Sequence, residues 1–131
     1  MSNDPNALAD ARSAAPALAA LAAGVVGATR QAAIIDPVLD YDPDTDALGA
    51  GPLQPLLAHV QDNALQVHWL LETHAHADHV SAGRWLKQQW PQATLAMGNG
   101  IVQVQKTFAP RYALEVPTDG SQFDHLFADG E

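Results

Sequence analysis

Apolar residues recur along the chain at two spacings, which predict alternating strands and helices. Short apolar runs predict three buried strands, at 32–35, 67–73 and 94–97. Apolar residues at helical spacing predict three helices, at 52–63, 80–90 and 101–108. A strand and helix order that repeats in this way favours an α/β fold, in which helices pack on a parallel or mixed sheet.

The remaining segments predict a boundary and two turns. Residues 1–28 are Ala-rich and hold few aromatic or β-branched side chains, so they are predicted to be a helical or disordered N-terminal segment that precedes a domain at 29–131. The acidic run at 40–46 is predicted to be a solvated turn, because it lacks the glycine and glutamate that an EF-hand loop requires. Residues 117–120 predict a second turn.

Composition limits the classes of partner. The 131 residues suffice for one small domain, and 15 acidic against 6 basic residues give a net charge of −9. This charge repels nucleic acids and anionic membranes. The apolar run at 13–28 is too weakly hydrophobic for a signal peptide and too short to span a bilayer. Because the chain has no cysteine, any metal must be held by nitrogen and oxygen, and a cytoplasmic location is expected.

One stretch concentrates the metal-binding side chains. His74, His76, Asp78 and His79 include three of the six histidines of the chain and directly follow a predicted strand. An extended loop there can bring the four groups together, whereas a regular helix would scatter them. Asp78 has a second interpretation, as the cap of the following helix. Asp36 ends the first predicted strand, where it can either form a turn before proline or orient a site.

These residues resemble a known family. The segment Thr73–His79 resembles the T-H-x-H-x-D-H signature of the metallo-β-lactamase superfamily, and the stretches at 34–42, 71–79 and 119–124 resemble its persulfide dioxygenase branch. The resemblance covers residues 28–131. It implies an αββα sandwich, of which this chain is expected to hold roughly the N-terminal half, and it implies that Asp36 steadies the metal loop.

The resemblance implies different ligand sets in different branches. In the dioxygenase branch one Fe(II) per chain is held by two histidines and a carboxylate, and only His74 of that triad is expected here. In the hydrolase branches one or two Zn(II) ions are bound, with His74 and His76 on one metal and Asp78 and His79 on the other. Both branches place further ligands after Glu131. His125 is predicted to be an exposed loop residue instead.

Three functions remain open on the sequence. The leading hypothesis is an iron enzyme that oxidises a glutathione-type persulfide to sulfite. The alternative is a zinc-dependent thioester or lactone hydrolase that resembles hydroxyacylglutathione hydrolases, and a third hypothesis is an inactive fragment. The expected partner is a small-molecule thiol, persulfide or thioester, with no nucleic acid and no membrane. Homo-oligomer formation is left open.

Overall fold

A computed structural model of the protein describes residues 30–131, so the prediction for residues 1–28 lies outside the described part of the chain. In chain order its strands and helices are β1 (Gln31–Ile35), β2 (Val38–Asp42), β3 (Ala47–Gly49), a short 3-10 helix (Gly51–Leu53), α1 (Gln54–Asp62), β4 (Gln66–Glu72), β5 (Val80–Ser81), α2 (Gly83–Gln89), β6 (Thr94–Gly98), α3 (Ile101–Arg111) and β7 (His125–Phe127). The predicted strands and helices occur in the predicted order, and three short strands (β2, β3 and β5) and a C-terminal strand (β7) are additional.

The main sheet has four parallel strands in the order β1-β4-β6-β7. Leu70 of β4 is paired with Leu95 of β6, and both belong to a buried cluster with Ile34 of β1. Leu56 of α1 and Leu86 of α2 complete this cluster from the helices. Burying the apolar stripe of each helix against the strands is the main contribution to the stability of this layer. The predicted mixed α/β architecture is confirmed, and it agrees with the first part of a metallo-β-lactamase fold.

A second, antiparallel sheet in the order β3-β2-β5 corrects the prediction for the acidic run. Strand β2 continues to Asp42, and only residues 43–46 form the turn. Asp42 accepts hydrogen bonds from the amide of Asp44 and the hydroxyl of Thr45. The run is therefore mostly a hairpin, because local carboxylate bonds stabilise its turn while its flanks pair with each other.

The second predicted helix, at 80–90, differs at its start. Val80 and Ser81 form β5 and pair with β2, and α2 begins only at Gly83. The residue before the helix is Ala82, and no side chain caps it. The interpretation of Asp78 as the helix cap is therefore wrong, because four residues, two of them in β5, separate it from Gly83.

His125 also differs from its prediction. It belongs to β7, is partly buried, and pairs with Ala96 of β6, so it is not an exposed loop residue. Its ring packs against Trp69 and Phe127, and its Nε2 lies 3.0 Å from Glu131 Oε1. Within residues 30–131, none of the helices has both the length and the apolar character needed to cross a bilayer.

Candidate metal centre

The histidine motif occupies the loop between β4 and β5, beside the end of β1. Asp36 follows β1 and its amide donates to Leu71 O at 2.8 Å, which continues the pairing of β1 with β4 by one residue. Its φ of 50° then turns the chain away, in a region that aspartate tolerates better than most residues. The parallel pairing thus places the Asp36 carboxylate beside the residues that follow β4.

The Asp36 carboxylate accepts two hydrogen bonds from Thr73. The Thr73 amide donates to Asp36 Oδ1 at 2.7 Å, and the Thr73 hydroxyl donates to Asp36 Oδ2 at 2.6 Å. Burial alone would raise the pKa of Asp36, but these bonds and a third from His76 outweigh it and hold the pKa below the ordinary value. Asp36 therefore stays ionised and fixes the first residue of the loop.

The same hydrogen bonds determine which ring nitrogen of His74 carries the proton. Its Nδ1 lies 2.9 Å from Thr73 Oγ1. The Thr73 hydroxyl donates its single hydrogen bond to Asp36, so Thr73 Oγ1 accepts a hydrogen bond from the Nδ1–H of His74. A neutral His74 with its proton on Nδ1 has its lone pair on Nε2, which is the form of imidazole that binds a metal.

His76 is oriented by two carboxylates. Its Nε2 lies 2.9 Å from Asp36 Oδ1 and 3.2 Å from Glu72 Oε2. Its side chain is 8% exposed, so these contacts are largely shielded from water. The Nε2–H of His76 donates a hydrogen bond to the ionised Asp36. In neutral His76 the lone pair is therefore on Nδ1.

His79 and Asp78 form a pair of their own. His79 Nδ1 lies 3.2 Å from Asp78 Oδ1, and the Asp78 side chain is 82% exposed. His79 Nε2 is buried and lacks a hydrogen-bond partner among residues 30–131. A buried ring nitrogen without a partner is costly, and a bound ligand is one way to satisfy it.

Together the motif residues form two overlapping clusters of ligand atoms. Asp36, His74 and His76 form one, and His76, Asp78 and His79 form the other, with atoms within 4.8 Å of one another. The ring centroid of His76 lies 4.2 Å from the ring centroid of His74 and 4.2 Å from that of His79. This donor set of nitrogen and oxygen atoms, with an unpartnered buried nitrogen, fits a first-row transition metal.

A cavity of about 380 Å³ adjoins the histidines. Leu95, Met97 and Ile101 form part of its apolar lining, and Arg84 and Gln105 contribute polar groups. This volume is in the range of small-molecule pockets, and the mixture of apolar surface with a few polar groups is typical of them.

The sequence did not assign a role to Glu72, although a visible signal was present. Glu72 is the last residue of a strand that is otherwise predicted to be buried, and in the structure it is 8% exposed. Its pKa is raised because burial disfavours the charged form. A carboxylate at the end of an apolar strand, two residues before a metal motif, is the pattern that could have identified it.

The fold and the clustered histidines define the class as an α/β domain with a candidate metal centre. A sequence profile described as the metallo-beta-lactamase superfamily matches residues 22–126, and the chain belongs to this superfamily. The superfamily predicted from the histidine motif is thereby confirmed.

Curated relatives agree with this assignment. Glyoxylase B2 of Dictyostelium discoideum is 46% identical over 105 residues, which are 79% of this chain and 36% of the relative. A beta-lactamase hydrolase-like protein of Xylella fastidiosa strain Temecula1 is 46% identical over 79% of this chain and 24% of the relative. A probable metallo-hydrolase of Burkholderia pseudomallei is 40% identical over 77% of this chain and 35% of its own length. The chain thus spans about a third or less of these relatives.

Among solved structures, ETHE1 from Myxococcus xanthus is 34% identical to this chain, with a TM-score of 0.42. The match covers 54% of this chain and 26% of that protein.

Proposed function

We propose that this protein is the N-terminal part of a metal-dependent enzyme that oxidises a glutathione-type persulfide to sulfite. Membership of the superfamily and the names of the relatives support an enzyme in general. The persulfide specificity rests on the resemblance of the stretches at 34–42, 71–79 and 119–124 to that branch. In balanced form, the persulfide RSSH, O2 and water give the thiol RSH and sulfurous acid.

The observation that carries the iron proposal is the position of His74. It is the exposed histidine of the motif, whereas the side chains of His76 and His79 are 8% and 19% exposed. His74 also lines the adjoining cavity, so its Nε2 would hold the ion where a small molecule in the cavity can reach it. When bound, Fe(II) supplies the site at which O2 and the persulfide sulfur meet. Thr73 and Asp36 hold His74 for this purpose, and His76 supports it from the buried side.

The chain's own groups also suit a small thiol-derived substrate. The apolar lining of the cavity offers contacts to the apolar parts of a substrate, and Arg84 offers a positive charge to an anionic group. Further ligands of the metal would come from residues after Glu131.

A second candidate is a zinc-dependent thioester or lactone hydrolase. Its specific support is that the motif offers two sets of donor groups, His74 with His76 and Asp78 with His79, which suits two metals. The relatives named as hydrolases add to this support. In this candidate Asp78 and His79 would be ligands, whereas in the iron candidate they only support the site.

Metal analysis of the full-length polypeptide, purified without oxygen, distinguishes the candidates. One iron per chain together with O2 consumption on glutathione persulfide is expected. Two zinc ions per chain with thioester hydrolysis would contradict the iron proposal and support the hydrolase. Turnover by the 131-residue chain alone would contradict the hypothesis of an inactive fragment.

A further inference from the structure

Glu72 is a buried carboxylate that the proposed chemistry does not use. It is 8% exposed, and both of its oxygen atoms face polar groups at the end of β4. Burial of a charge is costly unless the charge is paired. The contacts of Glu72 with Ser81 and His76 offset part of this cost.

One oxygen of Glu72 is held from outside the metal loop. The hydroxyl of Ser81 donates to Glu72 Oε1, and the same hydroxyl accepts from the amide of Gly83 at 3.0 Å. Because Ser81 Oγ accepts a hydrogen bond from the Gly83 amide, the hydroxyl hydrogen of Ser81 is free to point to Glu72. β5 and the first residue of α2 thus fix the carboxylate.

The position of Gly83 shows how closely this arrangement is packed. A Cβ at Gly83 would lie 2.8 Å from Glu72 Oε1 and 2.8 Å from Leu95 Cδ1. The backbone of α2 can approach the carboxylate only because residue 83 has no side chain. Oε1 therefore has little freedom to move, and neither does Oε2.

The other oxygen faces His76. Glu72 Oε2 lies 3.2 Å from His76 Nε2, and it has no aligned hydrogen bond among the described residues. The nitrogen aligns its proton with Asp36 instead, at 2.9 Å. Glu72 therefore attracts the Nε2 proton from a second side, which favours the ring form with the lone pair on Nδ1.

We infer that Glu72 is a positioning residue: with Asp36 it holds the Nε2–H of His76, so that His76 Nδ1 faces the histidine cluster. The inference rests on the proposed metal site, since it assigns a purpose to the orientation of His76. It predicts that Glu72 lowers the stability of the fold while it raises the affinity of the site for metal.

Glu72→Met tests this, because methionine fills a similar volume without an acceptor. In the full-length polypeptide we expect affinity for Zn²⁺, measured by competition with a chelator, to fall about tenfold or more. We expect the melting temperature of the metal-free variant to equal or exceed that of the wild type, since a buried charge is removed. Glu72→Gln, which retains one acceptor oxygen, should recover part of the affinity.

Val67→Ala is the matched control, because Val67 is a buried residue of the same strand and belongs to the hydrophobic core. It should lower the melting temperature and leave the Zn²⁺ affinity unchanged. Unchanged affinity in Glu72→Met would overturn the inference, and so would an equal loss of affinity in both variants.

A measurement without metal separates this inference from the proposed function. Long-range ¹H–¹⁵N spectra of metal-free protein at alkaline pH report which nitrogen of His76 is protonated. We expect a proton on Nε2 in the wild type and a mixture of both forms in Glu72→Met. Failure of the wild type to bind metal would contradict the proposed function alone, whereas identical His76 spectra in both proteins would overturn the role of Glu72.

Discussion

At the scale of single residues, the motif is held by side chains that surround it rather than by the histidines themselves. Asp36 accepts three bonds, two from Thr73 and one from His76, and thereby orients two rings at once. Thr73 transmits this orientation to His74. Outer contacts of this kind typically change metal affinity by about 10- to 100-fold when they are removed.

Thr73→Val tests the link between Asp36 and His74. Valine has nearly the same shape but cannot accept a hydrogen bond from His74 Nδ1–H, so the ring should lose its preference for the tautomer with the proton on Nδ1. We expect Zn²⁺ affinity to fall about tenfold in a chelator competition. Thr107→Val is the control, because Thr107 bonds to Gln103 on the surface of α3, and it should leave the affinity unchanged. Equal affinities for wild type and Thr73→Val would contradict this role.

At the scale of elements, the buried strands and helices were predictable, and the short edge strands were not. The two predicted strands at 32–35 and 67–73 could be recognised from their composition. Burial in a parallel sheet requires mostly apolar side chains, and both segments have them. Val38–Asp42 and Val80–Ser81 carry exposed and acidic residues, so their pairing depends on the hairpin turn and on each other. Strands β2 and β5 are distant in sequence, so their pairing gives no local signal.

The candidate site, like the fold, was only partly predictable from the sequence. His74, His76, Asp78 and His79 are adjacent in sequence, so their chemistry was visible. Their geometry depends on Asp36, 37 residues before Thr73, and on Glu72, which is joined to Ser81 nine residues later. Only the fold brings these groups together.

Asp124 provides a test of how β6, β7 and α2 are joined. Its Oδ2 accepts from the Leu95 amide at 2.9 Å and lies 2.8 Å from Lys87 Nζ. The bond from Lys87 and that from Leu95 hold the pKa of Asp124 below its ordinary value of 3.8. A lowered pKa stabilises the fold above 3.8, and this stabilisation is lost as the pH falls through the folded-state pKa.

Asp124→Ala should therefore lower the free energy of unfolding by about 1 kcal/mol at pH 7, a modest value because the side chain is partly exposed. Urea titrations at pH 7 and pH 3 should show the difference from wild type shrinking in acid. Asp124→Asn, which retains an acceptor for Leu95, should show a smaller loss. Asp44→Asn, on the exposed turn, is expected to have no effect. A difference that stays constant with pH would contradict the role of the ionised carboxylate.

At the scale of the whole molecule, the charge and the site have separate consequences. The net charge of −9 disfavours anionic partners in general, yet the cavity beside the histidines includes Arg84. Arg84 therefore gives the cavity a local positive charge within a chain that is negative overall. The sheet also places the motif where the chain segments that follow β1 and β4 meet. Metal binding should therefore stabilise the entire folded unit rather than one loop.

Thermal unfolding of the full-length polypeptide measures this coupling. A metal at a hundred times its dissociation constant stabilises a folded protein by about 2.7 kcal/mol, so excess Zn²⁺ should raise the melting temperature by several degrees and a chelator should reverse it. His74→Ala should abolish most of the increase, because it removes the exposed ligand nitrogen. His68→Ala removes an exposed histidine of β4 from outside both clusters and should retain the full increase. If the two variants respond to Zn²⁺ alike, the metal is bound elsewhere, since only His74 belongs to the proposed site.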